Sequence, residues 1–286
     1  MPSQALSSVA MTNTPETSTL GQSVAFPSSY DAGLLFPIPR TEARSKLGLD
    51  EALPFVGVDL WNAYELSWLD LRGKPQVALA EFRVPATSPN LVESKSFKLY
   101  LNSFAQERLA NADALRATLI ADLSAAAGAT VSVSLIAPTS PQAFPVSVLP
   151  GELIDGVAIT IEHYGPPAPE LLKSDAQETV EETLVSHLFR SNCPVTGQPD
   201  WASLQIAYTG PRIDRAALLR YLVSFRTHSD FHEACVERIF LDLRARCAPV
   251  KLSVYARFTR RGGLDINPFR ALPGAAMPDN LRLSRQ

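Results

Sequence analysis

The stretch Ser191 to Trp201 (SNCPVTGQPDW) holds one cysteine and, seven residues on, one aspartate. A thiol becomes a useful nucleophile when its pKa is lowered or when a neighbouring base takes its proton. Asp200 is close enough in sequence to Cys193 to exchange a proton with a group reacting at sulfur. A second reading stays open, and spacing alone favours it. Free cysteine is among the most buried residue types, so Cys193 is equally a core thiol in a turn-rich segment. Cys235 and Cys247 fall within or at the end of helical patterns and read as core packing.

Three other stretches carry polar groups at suggestive spacing. Asp230 to Glu233 (DFHE) reads first as a capping box, with Asp230 at the N-cap and Glu233 reaching back to its amide. The alternative is that His232 and Glu233 present polar groups to a ligand from a helix N-terminus. A glutamate accepts two parallel N–H bonds from a planar edge such as that of a guanine ring. Glu93 to Tyr100 (ESKSFKLY) places Lys95 and Lys98 three apart on one helix face. That is a solvated basic face, or an anion site built from lysines and helix N-terminal amides. Arg260 to Gly263 (RRGG) is a charged turn or a phosphate clamp. No G-x-G-x-x-G follows a strand, so a Rossmann nucleotide domain is not supported.

The elements that must position these groups come from an internal repeat. Tyr100-Leu101-Asn102-Ser103-Phe104 recurs 121 residues later as Tyr221-Leu222-Val223-Ser224-Phe225, and Val131-Ser132-Val133 recurs at the same offset as Leu252-Ser253-Val254. Each copy predicts two helices by apolar spacing: Glu93 to Arg108 and Ala112 to Ala126, then Asp214 to Thr227 and Phe231 to Arg246. Strands are expected over Gln76 to Val84, Val131 to Ile136, Leu204 to Tyr208 and Lys251 to Phe258, with extra ones over Tyr64 to Trp68 and Val157 to Ile161. Glu181 to Phe189, just before Cys193, has helix-like spacing. Proline-rich segments over Ala137 to Gly151 and His163 to Glu170 separate the copies. The reading is α+β, with a flexible tail over 1–30, one unit over 31–170 and a second over 171–286.

Composition restricts the function classes. The chain has 286 residues, 46% hydrophobic and 19% charged, with a formal charge of −3. No basic surface for nucleic acid is expected, and no apolar run is long enough to cross a membrane. The first thirty residues contain no Lys or Arg, so neither a secretory nor a transit signal is predicted, and a cytoplasmic protein is expected. Three cysteines without a C-x-x-C pair fit a reducing compartment, and four scattered histidines announce no metal site.

Taken together, SNCPVTGQPDW, ESKSFKLYLNSF, FHE and SVYARFTRRGGLDINPFR resemble the long form of the NADPH-dependent 7-cyano-7-deazaguanine reductases. These are the nitrile reductases of queuosine biosynthesis, relatives of GTP cyclohydrolase I in the tunnelling-fold superfamily. The resemblance runs from about Tyr30 to Gln286. It implies two tandem tunnelling-fold units, each an antiparallel sheet with two helices on one face, a homodimer, and sites between units. It also implies a role for each motif residue. Cys193 is then the nucleophile that forms a covalent thioimide with the nitrile carbon, and Asp200 the proton donor to nitrogen. Leu91, Val92, Glu93, His232 and Glu233 contact the deazaguanine base, while Ser94, Lys95, Arg261 and Gly262 contact NADPH. Two NADPH are used per turnover and no metal.

Two rivals remain at this level. A zinc-dependent pterin-forming cyclohydrolase on the same fold needs a metal site of cysteines and a histidine, and Cys193 has no partner thiol nearby. A non-catalytic purine-binding protein keeps Glu233 but has no need of a cysteine and an aspartate seven apart in a loop.

Overall fold

The computed structural model describes residues 17, 26–49 and 52–286. Most of the expected N-terminal tail lies outside them. Of its described part, Tyr30 is tied down, its hydroxyl donating to Asp122 Oδ2 at 2.7 Å and its ring lying 4.9 Å from that of Phe104.

In the first half the chain forms β1 (Pro37–Pro39), α1 (Thr41–Lys46), β2 (Val56–Leu69), β3 (Pro75–Pro85), β4 (Asn90–Val92), α2 (Ser94–Ser103), α3 (Ala112–Ala127) and β5 (Ser132–Ile136). Short β6 (Val146–Ser147) and β7 (Glu152–Leu153) lie in the connection. The second half forms β8 (Ser174–Asn192), β9 (Pro199–Ile213), α4 (Arg215–Val223), α5 (His232–Cys247), β10 (Lys251–Phe258), β11 (Leu264–Ala271) and β12 (Arg282–Leu283).

The two halves share one eight-stranded sheet, in the order β5-β3-β2-β11-β10-β9-β8-β7. The repeat is visible in its pairing. β3 lies between β2 and β5 as β9 lies between β8 and β10, all antiparallel, with a helix pair inserted before the third strand of each trio. β11 pairs antiparallel with β2, from Leu264 opposite Ala63 to Ala271 opposite Val56, and so joins the copies through backbone hydrogen bonds.

The repeated sequence makes the same contacts twice. Tyr100 Oη donates to Asp122 at 2.6 Å, and Tyr221 Oη donates to Asp242 at 2.7 Å. Ser103 Oγ and Ser224 Oγ each return to the carbonyl of that tyrosine at 2.6 Å. Phe104 and Phe225 meet the two tyrosine rings edge-on. A buried tyrosine is retained where its hydroxyl finds a partner, and the helix pair supplies that partner in each copy. One apolar cluster lies under each helix pair, around Phe82, Phe97 and Leu119 in the first and Leu218, Val236 and Phe258 in the second.

Two expected elements are corrected. Glu181 to Phe189 is not helical but part of β8, paired with β9. Between Ser186 and Phe189 the register slips, so β8 spends one more residue than β9 over that interval. The bulge returns Phe189 to the face of Leu184, and both are buried while Leu188 is exposed. An inserted residue turns period-two spacing into spacing that imitates a helix. Val157 to Ile161 is not a strand. Its alternation is that of an extended segment resting Val157 and Ile159 on the second core, where Thr160 O meets Arg220 of α4. A strand also needs a ladder partner, and none lies beside this segment among the described residues.

Candidate active site

The loop from Cys193 to Gln198 is the turn of the β8–β9 hairpin. Its ends are closed by Cys193 N to Gln198 O at 2.9 Å and by Gly197 N to Cys193 O at 3.0 Å. Gly197 sits at φ 67°, a left-handed conformation that glycine adopts without steric cost. Asp200 is two residues into β9, opposite Ser191. The end of β8 is pinned to the segment before α5: Asn192 N donates to His228 O at 2.8 Å, and Asp230 N donates to Asn192 O at 3.1 Å. Those bonds bring the first turn of α5, with His232 and Glu233, alongside Cys193.

The capping box expected at Asp230 does not form. α5 starts at His232 with Phe231 as N-cap, and Asp230 Oδ1 accepts from Phe231 N. Glu233 is instead 4% exposed and lines the cavity, and no donor side chain of the described residues bonds its carboxylate. Burial and then the charge of Asp59 push its pKa up, partly offset by Arg40 and His232. Apart from its own backbone amide no protein donor of the described residues reaches it, so acceptor capacity is left for a ligand.

The cavity, about 610 Å³, lies where the two copies meet. Its wall takes Leu91 and Val92 from β4, Ser94 and Lys98 from α2, Cys193 and Asp200 from the hairpin, His232 and Glu233 from α5, and Arg261 from the β10–β11 turn. Glu93 stands behind this wall. Its carboxylate accepts from Lys95 N and Ser96 N, both at 2.7 Å, and so caps α2. Lys95 and Gly262 line an adjoining cleft of about 1080 Å³ that shares Lys98 and Leu264 with the first.

Two further residues shape the site: Lys98, read in the sequence only as part of a basic face or an anion site, and Phe258, which had no assigned role there. Lys98 faces both cavities. Its signal is the i, i+4 spacing from Ser94, which puts the two on one side of α2 and turns Lys95 towards the adjoining cleft. Burial lowers the Lys98 pKa, with the charge of Arg261 acting the same way. Phe258 stacks on the His232 ring at 3.8 Å between centroids and 9° between planes, a contact across elements that no local spacing signals.

The electrostatics centre on Asp200. Arg261 Nη1 donates to Oδ1 at 2.5 Å, Arg261 Nη2 donates to Gln198, and His232 Nε2 lies 3.3 Å from Oδ2. Burial pushes the Asp200 pKa up, but His232 and Arg261 outweigh it and the net direction is down. Asp200 is therefore a carboxylate at neutral pH, able to take a proton before it gives one. The Arg261-Gly262 turn lies between the two clefts, Arg261 lining the first and Gly262 the second. Gly262 has φ 58°, and a Cβ there would meet Lys98 Cδ at 3.3 Å, so the lysine passes directly under the turn. Among the described residues no group of three or more His, Cys, Asp or Glu side chains is placed to hold a metal ion.

Comparison with known proteins agrees with this layout. The family model described as "Nitrile reductase, 7-cyano-7-deazaguanine-reductase N-term" matches residues 26–135, and that described as "QueF-like protein" matches residues 199–274. A relative from Stenotrophomonas maltophilia, an NADPH-dependent 7-cyano-7-deazaguanine reductase, is 61% identical over 267 residues, 93% of this chain and 96% of its own. Relatives of the same name from Bordetella avium and Chromobacterium violaceum are 60% and 58% identical, covering 97% and 98% of their lengths. A solved structure of an archaeosine synthase QueF-Like overlaps 36% of this chain at 17% identity and a TM-score of 0.30, too little to carry a fold argument. With a family model on each half and relatives this similar along nearly their whole length, the chain belongs to the NADPH-dependent 7-cyano-7-deazaguanine reductases.

Proposed function

We propose that this chain reduces the nitrile of 7-cyano-7-deazaguanine to the primary amine, 7-aminomethyl-7-deazaguanine, in the formation of queuosine. One observation carries the reading beyond family membership: Cys193, Asp200, His232 and Glu233 line a single cavity that adjoins a cleft edged by lysines and a glycine turn.

The geometry supports the roles that the resemblance implies. Glu233 accepts the N1–H and 2-amino hydrogens of the base, and His232, held flat by Phe258, bounds it. Leu91 and Val92 supply apolar wall, and Glu93 acts by fixing the start of α2. Cys193 sulfur adds to the nitrile carbon. The thiol proton passes to the Asp200 carboxylate and from there to the nitrile nitrogen, so S–H adds across the triple bond with Asp200 as carrier. The product is a thioimide, a C=N carbon that accepts hydride.

Ser94, Lys95, Arg261 and Gly262 would hold NADPH, which when bound would supply the two hydrides that the carbon accepts in turn. Between them the C–S bond breaks, Cys193 leaves as thiolate and an imine remains. Asp200 and His232 are the groups placed to hold protons for nitrogen. An imine hydrolyses in water, which accounts for a site recessed between the two copies. The negative formal charge supports action on the free base rather than on nucleic acid. The chain is taken to work as a cytoplasmic homodimer with its internal boundary near residue 170.

The test is incubation with 7-cyano-7-deazaguanine without NADPH, read by intact mass and near-ultraviolet absorption. An adduct that disappears in Cys193→Ala is expected. No adduct, together with no NADPH oxidation in the complete reaction, refutes the proposal.

A further inference from the structure

Behind the base end of the cleft lies a small cavity of about 10 Å³ whose wall is apolar except at two residues, Arg40 and Glu233. Trp61 and Glu233 belong to both this cavity and the main one. Arg40 is 3% exposed. Its Nη2 donates to Asp59 at 2.6 Å and its Nε to Ser88 Oγ at 3.2 Å, but Nη1 is buried without a partner among the described residues. One guanidinium N–H without a partner and one carboxylate that no other side chain bonds, among the described residues, thus share a small apolar cavity. Isolated buried charges of this kind persist only when they compensate each other.

The surrounding charges sharpen the point. Asp59 on β2 is shared by Arg40 and Arg270 of β11. Arg270 and Arg44 of α1 in turn hold Glu237, one turn along α5 from Glu233. Three arginines face three carboxylates, and the set is neutral only when Glu233 is ionised. His232, on the same turn of α5, is the remaining titratable neighbour and also favours the ionised form. Without Arg40 two arginines would face three carboxylates, and a proton on Glu233 would restore the balance.

We infer that Arg40 is a positioning residue for base recognition: it holds Glu233 as a carboxylate, so that both of its oxygens accept from the donor–donor edge of a guanine-like base. A protonated Glu233 would present a donor to that edge and be rejected. The inference rests on the proposed function, because it takes Glu233 to read the base.

The experiment is a titration of 7-cyano-7-deazaguanine in a Cys193→Ala background, where no covalent bond forms, followed by calorimetry from pH 5 to 9. With Arg40→Gln, whose amide still donates to Asp59 and Ser88, the acid limb of affinity should move up by about one pH unit, the order expected for loss of a nearby opposite charge. Below the parent limb that is about tenfold weaker binding, recovering on the alkaline side. Arg40→Lys should keep the parent limb. An Arg40→Gln profile lowered by one factor at every pH, or not lowered at all, overturns the inference. If Arg40→Gln does not fold, Asp59→Asn tests the same electrostatics with opposite sign. Its limb should move down, and an unmoved limb overturns the inference. A Cys193→Ala parent that binds no base at any pH refutes the proposed function itself, and this inference with it.

Discussion

Replacing Arg261 with methionine removes the closest cation from Asp200 while keeping an unbranched side chain in the turn. The pair is made at 2.5 Å, with Asp200 4% and Arg261 27% exposed at the side chain. An opposite charge at such range lowers a carboxylate pKa by about 1–3 units. His232 remains at 3.3 Å, so the lower end applies, about one unit, or about 1.4 kcal/mol between the two protonation states. The sign is fixed by the direction in the intact protein. Asp200 is held below its ordinary value, and Arg261→Met lets it rise, so the residue stays protonated to higher pH. A protonated Asp200 cannot take the Cys193 proton, and adduct formation slows on the acid side. Rates measured by stopped flow in the absence of NADPH, over a pH range that extends below the ordinary carboxylate value, separate this from any effect of Arg261 on cofactor affinity. The acid limb should move up by about one pH unit with the alkaline plateau little changed. A limb in the wild-type position would refute the assignment of Asp200 as proton carrier.

Three further outcomes follow from the same geometry. Glu233→Ala should weaken base binding by about 2–4 kcal/mol, since two charge-assisted bonds are lost and the base edge is left unpaired; calorimetry that finds unchanged affinity returns Glu233 to a structural role. Gly262→Ala should raise KM for NADPH with little change in base affinity and cost about 1 kcal/mol in stability, because φ is 58° and the added methyl meets Lys98 at 3.3 Å. Tyr221→Phe should lower stability by about 1–3 kcal/mol through the Asp242 carboxylate it leaves without its donor, and more than Tyr100→Phe, since Asp122 keeps the hydroxyl of Tyr30; denaturant melts of both variants check the order.

The parts of the fold that local spacing encodes were legible. All four long helices fall where apolar periodicity predicts them, because each packs an apolar face on the sheet. The repeat was legible because Tyr, Ser and Phe make the same three contacts in each copy. β8 was misread where a single inserted residue shifted its alternation, and Val157 to Ile161 was misread because burial in an extended segment leaves the same trace as pairing in a sheet. At the site, the hairpin supplied Cys193 and Asp200 within one short stretch, so their chemistry could be suspected early. Arg261 on Asp200 and Arg40 near Glu233 could not be found that way. These contacts span 61 and 193 residues: the pairing of β9 with β10 creates the first, and the joining of the two copies through β11 and β2 the second.

Sulfur addition at Cys193 is the central claim, and mapping the adduct tests it most directly. The protein is incubated with 7-cyano-7-deazaguanine alone, digested and analysed by tandem mass spectrometry. The account predicts a single modified peptide carrying the intact base on Cys193, removed when NADPH is added and absent from Cys193→Ala. A modification on Cys235 or Cys247 instead, or turnover by Cys193→Ala at the wild-type rate, would contradict it.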